Sequence, residues 1–519
     1  MFPNLPLSIN IMLIAWAYVA VIVTIVIYFQ RKEHPKALFV LFFTELWERF
    51  SYYGMRALLI LYMTKALFYS DAMSYGIYGA YVSLVYATPV LGGIIADRFL
   101  GSRNAIMLGA ILMAIGHFAM AFQHEAIFFV ALGFLIIGNG CFKPNISTLV
   151  GKLYSEGDRR RDGAFTLFYM GINIGAFLTP LTCGAIGEEF GWHYGFGIAG
   201  IGMIVGLLIF SYGNWKNLYE DKGLPPNPEF INKKIFAGLS PKVLIYIGAF
   251  LSVPLLALLV NQNEISSKIL LVVGSSVVIY LLYLSFKEEK IQRERLWVIL
   301  VLFLFTIMFW TFFELAGSAI TLFTERNVDR TLSIFKSGIP TSLFQSVNPF
   351  FIIHLAPLFA LLWVWLGKKD RDPSAPFKFG ISLMQLGLGF AILVVGAKFA
   401  GSNGLVPMIF LILAYLLHTT GELCISPIGL SLVTKMAPGR IVAFVMGVWL
   451  LSSSFAGLIG SEISKLTSLP SEEGKQPLAA ESLFVYTGVF EWIAYISIGT
   501  GFALLFLVPI LKKWMHGVK

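Results

Sequence analysis

The chain alternates long apolar runs with short polar breaks. A helix that crosses a bilayer needs about 20 mostly apolar residues. Fifteen such runs can be drawn, at residues 8–29, 38–66, 73–98, 104–123, 125–151, 162–188, 193–214, 241–261, 266–286, 295–324, 341–367, 377–398, 405–436, 440–468 and 481–513. Helices are the expected form, because in hydrocarbon every backbone N–H and C=O must be satisfied within its own segment. The polar breaks test the count. If residues 30–37 are cytoplasmic, every later loop has a fixed side. Of the 38 Lys and Arg residues, 27 then fall on the cytoplasmic side, 8 on the other, and Arg49, Arg56 and Lys143 lie inside helices. A wrong count would scramble this bias toward positive cytoplasmic loops. The C-terminus, with Lys512 and Lys513, is placed in the cytoplasm.

The polar stretch 215–240, with Pro225, Pro226 and Pro228, marks a midpoint. A second charged loop, Lys287–Arg295, follows two plain helices that carry no charge away from their ends. Those two read as an insertion between two six-helix halves. The expected organisation is an N-terminal helix at 1–35, a six-helix bundle at 36–215, loops with two inserted helices at 216–294, and a second six-helix bundle at 295–519. The fold class is all-α and polytopic, with 6+6 helices and a site at the midplane between the halves. The first thirty residues admit two readings. They could be a cleaved leader. A start without Lys or Arg, a long apolar run and basic residues after it favour a retained helix with its N-terminus outside.

Composition narrows the class. Hydrophobic residues make up 57% of 519 and charged residues 13%, against about 25% charged in soluble proteins. The bilayer is therefore the main solvent. The formal charge of +9 is accounted for by basic loops rather than by a nucleic-acid partner. Cys141, Cys183 and Cys424 lie far apart in apolar runs, which fits neither a metal site nor a disulfide framework. No nucleophile–base pair or clustered ligand set points to an enzyme or a cofactor. His117, His354 and His418 are isolated in apolar runs and read as packed or peripheral.

Charged groups inside spanning helices are costly and mark ion or substrate paths. The second segment carries Glu45, Glu48, Arg49, Tyr52 and Arg56. At 100° per residue these fall within about 100° of arc. An ion-pair seam would need one pair, so five polar groups on one face argue for a wet cavity. Lys143 sits beside Pro144 within Gly138–Asn145, with apolar residues for more than a turn before it. Glu314 and Glu422 interrupt apolar runs and have no basic residue within a turn on their own helices. The N-terminal half thus supplies three positive and two negative intramembrane charges and the C-terminal half two negative ones. A cavity basic on one wall and acidic on the other suits a zwitterion such as a free peptide. Arg56 and Lys143 could hold a carboxylate, Glu422 an amine, and Asn173 and Asn348 a peptide amide. Tyr52, Tyr81, Trp310 and Trp449 could line side-chain pockets, although helix packing or an interface belt is the simpler reading of any one of them. Lys143 and Glu422, on opposite halves, are expected to act as a gating pair.

Several stretches resemble those of one family. Glu45–Gly54 (ELWERFSYYG) resembles the ExxERFxYYG motif of the proton-dependent oligopeptide transporter family of the major facilitator superfamily, in its bacterial form. Gly92–Arg98 with Gly101–Arg103, the segment Gly138–Ser147, Phe168–Gly175 and Glu422–Ser431 resemble its loop motif, its KPNIS segment, its FYxxINxG signature and its ELxxSPxGLS stretch. The resemblance runs from about residue 36 to 513. It implies a facilitator fold, di- and tripeptide substrates, and protons as the coupling ion with no cofactor. It implies proton-coupling roles for Glu45, Glu48, Arg49 and Glu314. It implies peptide contacts for Tyr52, Arg56, Tyr81, Lys143, Asn173, Asn348, Glu422 and Trp449. A monomer in the inner membrane is expected. Two departures stand out: Leu315 follows Glu314 where the family often has Gln, and the N-terminal helix lies outside the usual pattern. The intact acid pair argues against the family's nitrate carriers. A drug exporter would explain the loop motif but not the ExxER or FYxxINxG stretches. A channel would need a continuous polar lining, and the charges here cluster at one level.

Overall fold

A computed structural model describes residues 6–155, 157–331, 338–469 and 478–518. All fifteen expected crossings are helical in it. Thirteen helical stretches meet the length and hydropathy needed to span a bilayer. One of them, Asp71–Met120, is 50 residues long and holds two crossings. The remaining crossing is the helix Lys36–Lys65, whose buried charges lower its mean hydropathy.

The long helices are α1 (Leu7–Gln30), α2 (Lys36–Lys65), α3 (Asp71–Ile95), α4 (Gly101–Met120), α5 (Glu125–Lys152) and α6 (Arg160–Thr179), then a short α7 (Ala185–Phe190) and α8 (Trp192–Trp215). After a one-turn α9 (Pro228–Asn232) come α10 (Pro241–Asn261), α11 (Asn263–Ser285), α12 (Lys290–Phe313) and a short α13 (Ala319–Asn327). The chain then forms α14 (Val347–Lys368), α15 (Ala375–Ala397), α16 (Met408–Met436), α17 (Val442–Lys465) and α18 (Ala479–Trp514). Strands of two residues at Val328–Asp329 and Val406–Pro407 pair in parallel, a detail too short to read from periodicity.

Some crossings that the sequence presents as continuous runs change helix type midway. A π-helical turn at Pro180–Gly184 joins α6 to α7. A 3-10 turn at Glu314–Gly317 separates α12 from α13. Another 3-10 turn, Thr341–Ser346, opens the crossing that continues as α14. Pro144 does not end α5, which runs through it to Lys152.

The chain forms two compact units. One holds the described residues of Met1–Tyr62, Leu84–Gln262 and Leu332–Pro349. The other holds those of Met63–Ser83, Asn263–Thr331 and Phe350–Lys519. The two inserted helices therefore divide, α10 with the first unit and α11 with the second. In the first unit, Val253 of α10 lies so close to Gly133 of α5 that a Cβ there would sit 2.7 Å from the Val253 carbonyl oxygen. In the second, Gly274 of α11 accommodates the Phe455 ring of α17.

Within the first unit, helices meet backbone to backbone at glycines, as membrane interfaces do when packing rather than hydrophobic burial holds helices together. A Cβ on Gly92 would lie 1.9 Å from the Gly140 carbonyl oxygen. A Cβ on Gly175 would lie 2.4 Å from the Leu46 carbonyl oxygen and 2.9 Å from Arg49 Cβ. The second contact presses α6 against the charged turn of α2 and fixes where that turn points.

Candidate functional site

The first unit brings the three charged residues of the α2 motif into contact. Arg49 Nε lies 2.9 Å from Glu45 Oε1 and 2.6 Å from Glu48 Oε2, so one guanidinium nitrogen faces both acids. All three side chains are buried, at 3%, 2% and 0% exposure respectively. From α5, Asn139 Nδ2 donates to Glu48 Oε1 at 3.3 Å. The guanidinium also lies 5.5 Å from the Tyr52 ring centre, a cation–π distance. Helical spacing is the reason for this meeting: residues three and four apart stack on one face, and Gly175 leaves room for α6 to close over it.

The expected wet face is therefore dry along most of its length. Glu45, Glu48, Arg49 and Tyr52 are buried, and of the five only Arg56 is half-buried. Burying three charges is tolerable only when they are paired and hydrogen-bonded, and the Arg49 geometry supplies the pairing.

The other expected site residues divide between the units. In the first, Lys143 is half-buried on α5 with its Nζ 4.4 Å from the centre of the Tyr86 ring. Asn173 is buried on α6 and donates from Nδ2 to the Tyr169 carbonyl at 2.9 Å. Asn348 is half-buried near the start of α14, in the stretch that packs with the first unit. In the second unit, Tyr81 is fully buried on α3, Glu422 is buried on α16, and Glu314 is buried where α12 gives way to the 3-10 turn. Trp449 packs its ring against Gly429 and lies near Phe303 and Phe379. Trp310 stands edge-on to Phe309 and Phe313. These contacts engage Trp449 in packing between helices, whereas those of Trp310 lie within its own helix α12.

Several polar contacts were not foreseen from the sequence. In the second unit, Asp71 and Arg326 form a bidentate pair at 2.6 and 2.8 Å, both buried. At the residue before Arg326, Glu325 Oε1 lies 2.5 Å from Lys65 Nζ. In the first, Glu188 accepts from the backbone N–H groups of Thr341 and Ser342 at 3.2 and 2.7 Å. Their partners are 150 to 260 residues apart, beyond the reach of local spacing. The available signal was weak: each charge lies at or near the end of an apolar run, where loop solvation is the simpler reading.

On the cytoplasmic side of the sequence reading, Arg103 of the loop motif pins the chain that leaves α8. Its Nε and Nη2 donate to the Lys222 and Glu220 carbonyls at 2.6 and 2.5 Å. Tyr219 is buried beneath it, and its phenol is pushed above its ordinary range by that burial.

Residues 103–482 match the sequence profile of the POT family. The chain is 37% identical over 492 residues to the uncharacterized transporter YclF of Bacillus subtilis, covering 93% of this chain and 96% of that one. It is 39% identical over 466 residues to the peptide transporter YePEPT of Yersinia enterocolitica, covering 84% of this chain and 90% of that one. A crystal structure of a POT peptide transporter in complex with sulfate superposes with a TM-score of 0.79 at 34% identity, over 93% of this chain and 96% of that one. The architecture is thus the all-α major facilitator fold of a multi-pass membrane protein. With its profile matched over most of the length and relatives well above 30% identity along nearly all of it, the chain belongs to the POT family.

Proposed function

We propose that this protein is a symporter that carries di- and tripeptides into the cell with protons, by alternating access between its two six-helix halves. The observation that carries the reading is the buried Glu45–Arg49–Glu48 cluster, in which one arginine faces two acids. With every group ionised the cluster holds one negative charge more than positive. A proton that arrives on either acid balances it, and a transport cycle can load and unload such a proton as its environment changes. The names of relatives support the cargo: a Salmonella typhimurium protein 32% identical over 486 residues is a dipeptide and tripeptide permease.

In this reading Glu45, Glu48, Arg49 and Glu314 handle the proton. Arg56 and Lys143 receive the peptide carboxylate and Glu422 the amine, while Asn173 and Asn348 meet the backbone amide. Tyr52, Tyr81, Trp310 and Trp449 shape side-chain pockets. Lys143 and Glu422 form the gating pair, each exchanging its partner for an end of the peptide. The protein works as a monomer in the inner membrane, with the C-terminus in the cytoplasm and the N-terminus outside. The test is uptake of a labelled dipeptide into proteoliposomes with and without an inward proton gradient. Accumulation that requires the gradient supports the reading. Uptake indifferent to the gradient, or none, overturns it.

A further inference from the structure

The helix α1 precedes the motifs that carry the family resemblance, which begin near residue 36. Most of its burial follows one stripe: Ser8, Ala15, Val19 and Val23, at spacings of seven, four and four, share one helical face, while the buried Asn10 lies on the opposite side. Ile14, Val21, Ile25, Tyr28 and Phe29 are exposed, as lipid-facing residues are. A helix serving only as an anchor needs no such seam.

Ser8 Oγ donates to Glu189 on α7, and Trp16 ties the seam farther along. The Trp16 indole N–H donates to Thr182 Oγ1 at 2.9 Å. Thr182 stands in the π-helical turn Pro180–Gly184 and passes its own proton to the Leu178 carbonyl at 2.8 Å. The Trp16 ring lies 5.9 Å from that of Trp47 and 6.0 Å from that of Phe50. Those two residues flank Glu48 and Arg49 in sequence. On their other side they meet α8, where a Cβ on Gly202 would strike Phe50 at 2.7 Å and one on Gly206 would touch Trp47 at 3.2 Å. The same turn of α2 is tied to the end of α6, since Thr179 Oγ1 donates to the Phe50 carbonyl at 2.9 Å. Farther along, the gap between α1, α2 and α6 bounded by Val23, Ile27, Phe42 and Met170 is nearly closed, with a volume of about 10 Å³.

From this we infer that α1 is a clamp on the coupling helix, and that Trp16 is a positioning residue. It wedges Trp47 and Phe50 between itself and the α8 glycines while bonding the π turn, and so fixes the rotation of α2 that presents Glu45, Glu48 and Arg49 to the first unit. The inference rests on the proton-coupling reading above. Trp16 touches no substrate and acts through α2. The charged groups that face Glu48 are Glu45 and Arg49 on its own helix and Lys143 on α5, with Asn139 as its neutral partner. A rotation of α2 changes the distances from its own charges to Lys143 and Asn139, while Trp16 contacts none of these groups.

The test uses the full chain in proteoliposomes. Trp16→Phe keeps a ring against Trp47 and Phe50 but loses the donor, and Thr182→Val removes the acceptor. Each is expected to lower gradient-driven dipeptide uptake by about fivefold, the size of one net hydrogen bond, and to displace its pH profile. Counterflow of labelled against unlabelled dipeptide should stay near wild type. Trp16→Ala should lose more than Trp16→Phe. The double variant Trp16→Phe with Thr182→Val should lose no more than either single change, because the two act through one bond. A variant without residues 1–30 should still yield a monodisperse protein, since the family motifs all lie after that segment, and should show the same split. If uptake and pH profile of Trp16→Phe and of the truncation match wild type, the clamp is refuted. If counterflow falls in step with driven uptake, Trp16 serves stability alone and the inference is likewise refuted. A wild-type protein with no gradient-driven uptake would instead refute the transport reading.

Discussion

Replacing Glu48 by Gln and Arg49 by Leu separates the two things the buried cluster does. Both acids lie close to the same nitrogen, at 2.9 and 2.6 Å, and Glu45 accepts its proton. The two oxygens are therefore no more than about 5.5 Å apart, and unit charges at that separation repel by about 3 kcal/mol at an effective dielectric near 20. Glu48→Gln removes one of the repelling charges and leaves a balanced Glu45–Arg49 pair. The Gln carbonyl can still accept from Asn139, while its new NH2 group replaces the oxygen that faced Arg49. Its stability is expected to stay within about 1 kcal/mol of wild type. Arg49→Leu instead strands two buried acids, and removing one side of a buried ion pair costs about 3–5 kcal/mol. The assay pairs thermal unfolding in detergent with two transport measurements. Glu48→Gln should lose accumulation driven by a proton gradient and keep counterflow of labelled against unlabelled dipeptide. Arg49→Leu should lose both, with a lower midpoint of unfolding. If Glu48→Gln destabilises the protein as much as Arg49→Leu, the pairing is misread. If it still concentrates peptide, Glu48 is not needed for coupling.

Three further outcomes follow from particular contacts. Asp71→Ala should cost about 3–5 kcal/mol by leaving the Arg326 guanidinium buried without its bidentate partner, and adding Arg326→Leu should recover most of the loss, as thermal unfolding of the single and double variants would show. Gly92→Ala should cost at least about 3 kcal/mol, the upper part of the range for overpacking, because its methyl would lie 1.9 Å from the Gly140 carbonyl oxygen; a monodisperse protein with wild-type thermal stability would contradict the backbone contact. His34, in the loop between α1 and α2, is held below its usual value of 6.5, chiefly by partial burial and next by Arg160. The unfolded chain then binds more protons than the folded one once pH falls below about 6.5, so the contribution of this group to stability is lost as pH drops from 6.5 toward the folded value; His34→Gln should flatten that part of the stability profile.

Most of the architecture was legible because lipid imposes it. A run of apolar residues in a membrane chain has one backbone solution, so the fifteen runs gave fifteen helical crossings. The α2 cluster was legible for a similar reason: offsets of three and four residues place Glu45, Glu48 and Arg49 on one face whatever surrounds them. What the surroundings do was not legible. The stripe read as a wet wall, yet Gly175 lets α6 close over it and Asn139 meets Glu48 from α5. Asp71 and Arg326 are 255 residues apart, and no periodicity connects them. Trp449 carries no sign in the sequence that its ring will lie on Gly429. Spacing reports the face of a helix, and only packing reports what that face meets.

Glu314 shows the same limit and points to how the acid is held. The run 295–324 reads as one uninterrupted helix, with no Pro or Gly before Gly317 to suggest a break. In the structure the α-helix ends at Phe313, a 3-10 turn carries Glu314 to Gly317, and Ser318 leaves helical geometry altogether at φ −131° and ψ −96°. A break inside a spanning segment releases backbone groups that lipid cannot satisfy. Here one of the freed carbonyls, that of Ala316, finds a side-chain donor, and hydroxyls tie the break to α17. The Thr321 hydroxyl donates to the Ala316 carbonyl at 2.7 Å. The Ser318 hydroxyl meets that of Ser464 on α17 at 3.0 Å. The Ser464 hydroxyl is in turn 2.9 Å from the Gly460 carbonyl. The break is thus built into the second unit by three hydroxyl side chains, and it falls at the one acid of this crossing that lies deep in the apolar run. Local departures from the α-helix recur at functional positions because they supply backbone groups and a change of direction that a regular helix cannot. The π turn at Pro180–Gly184 does the same for α6, directly after the stretch that carries Asn173, with Thr179 and Thr182 as its hydroxyls. One irregular turn begins at Glu314 itself, and the other follows Asn173 by less than two helical turns. What positions these residues is therefore hydroxyl groups several positions away, which carry no charge and draw no notice in an apolar sequence.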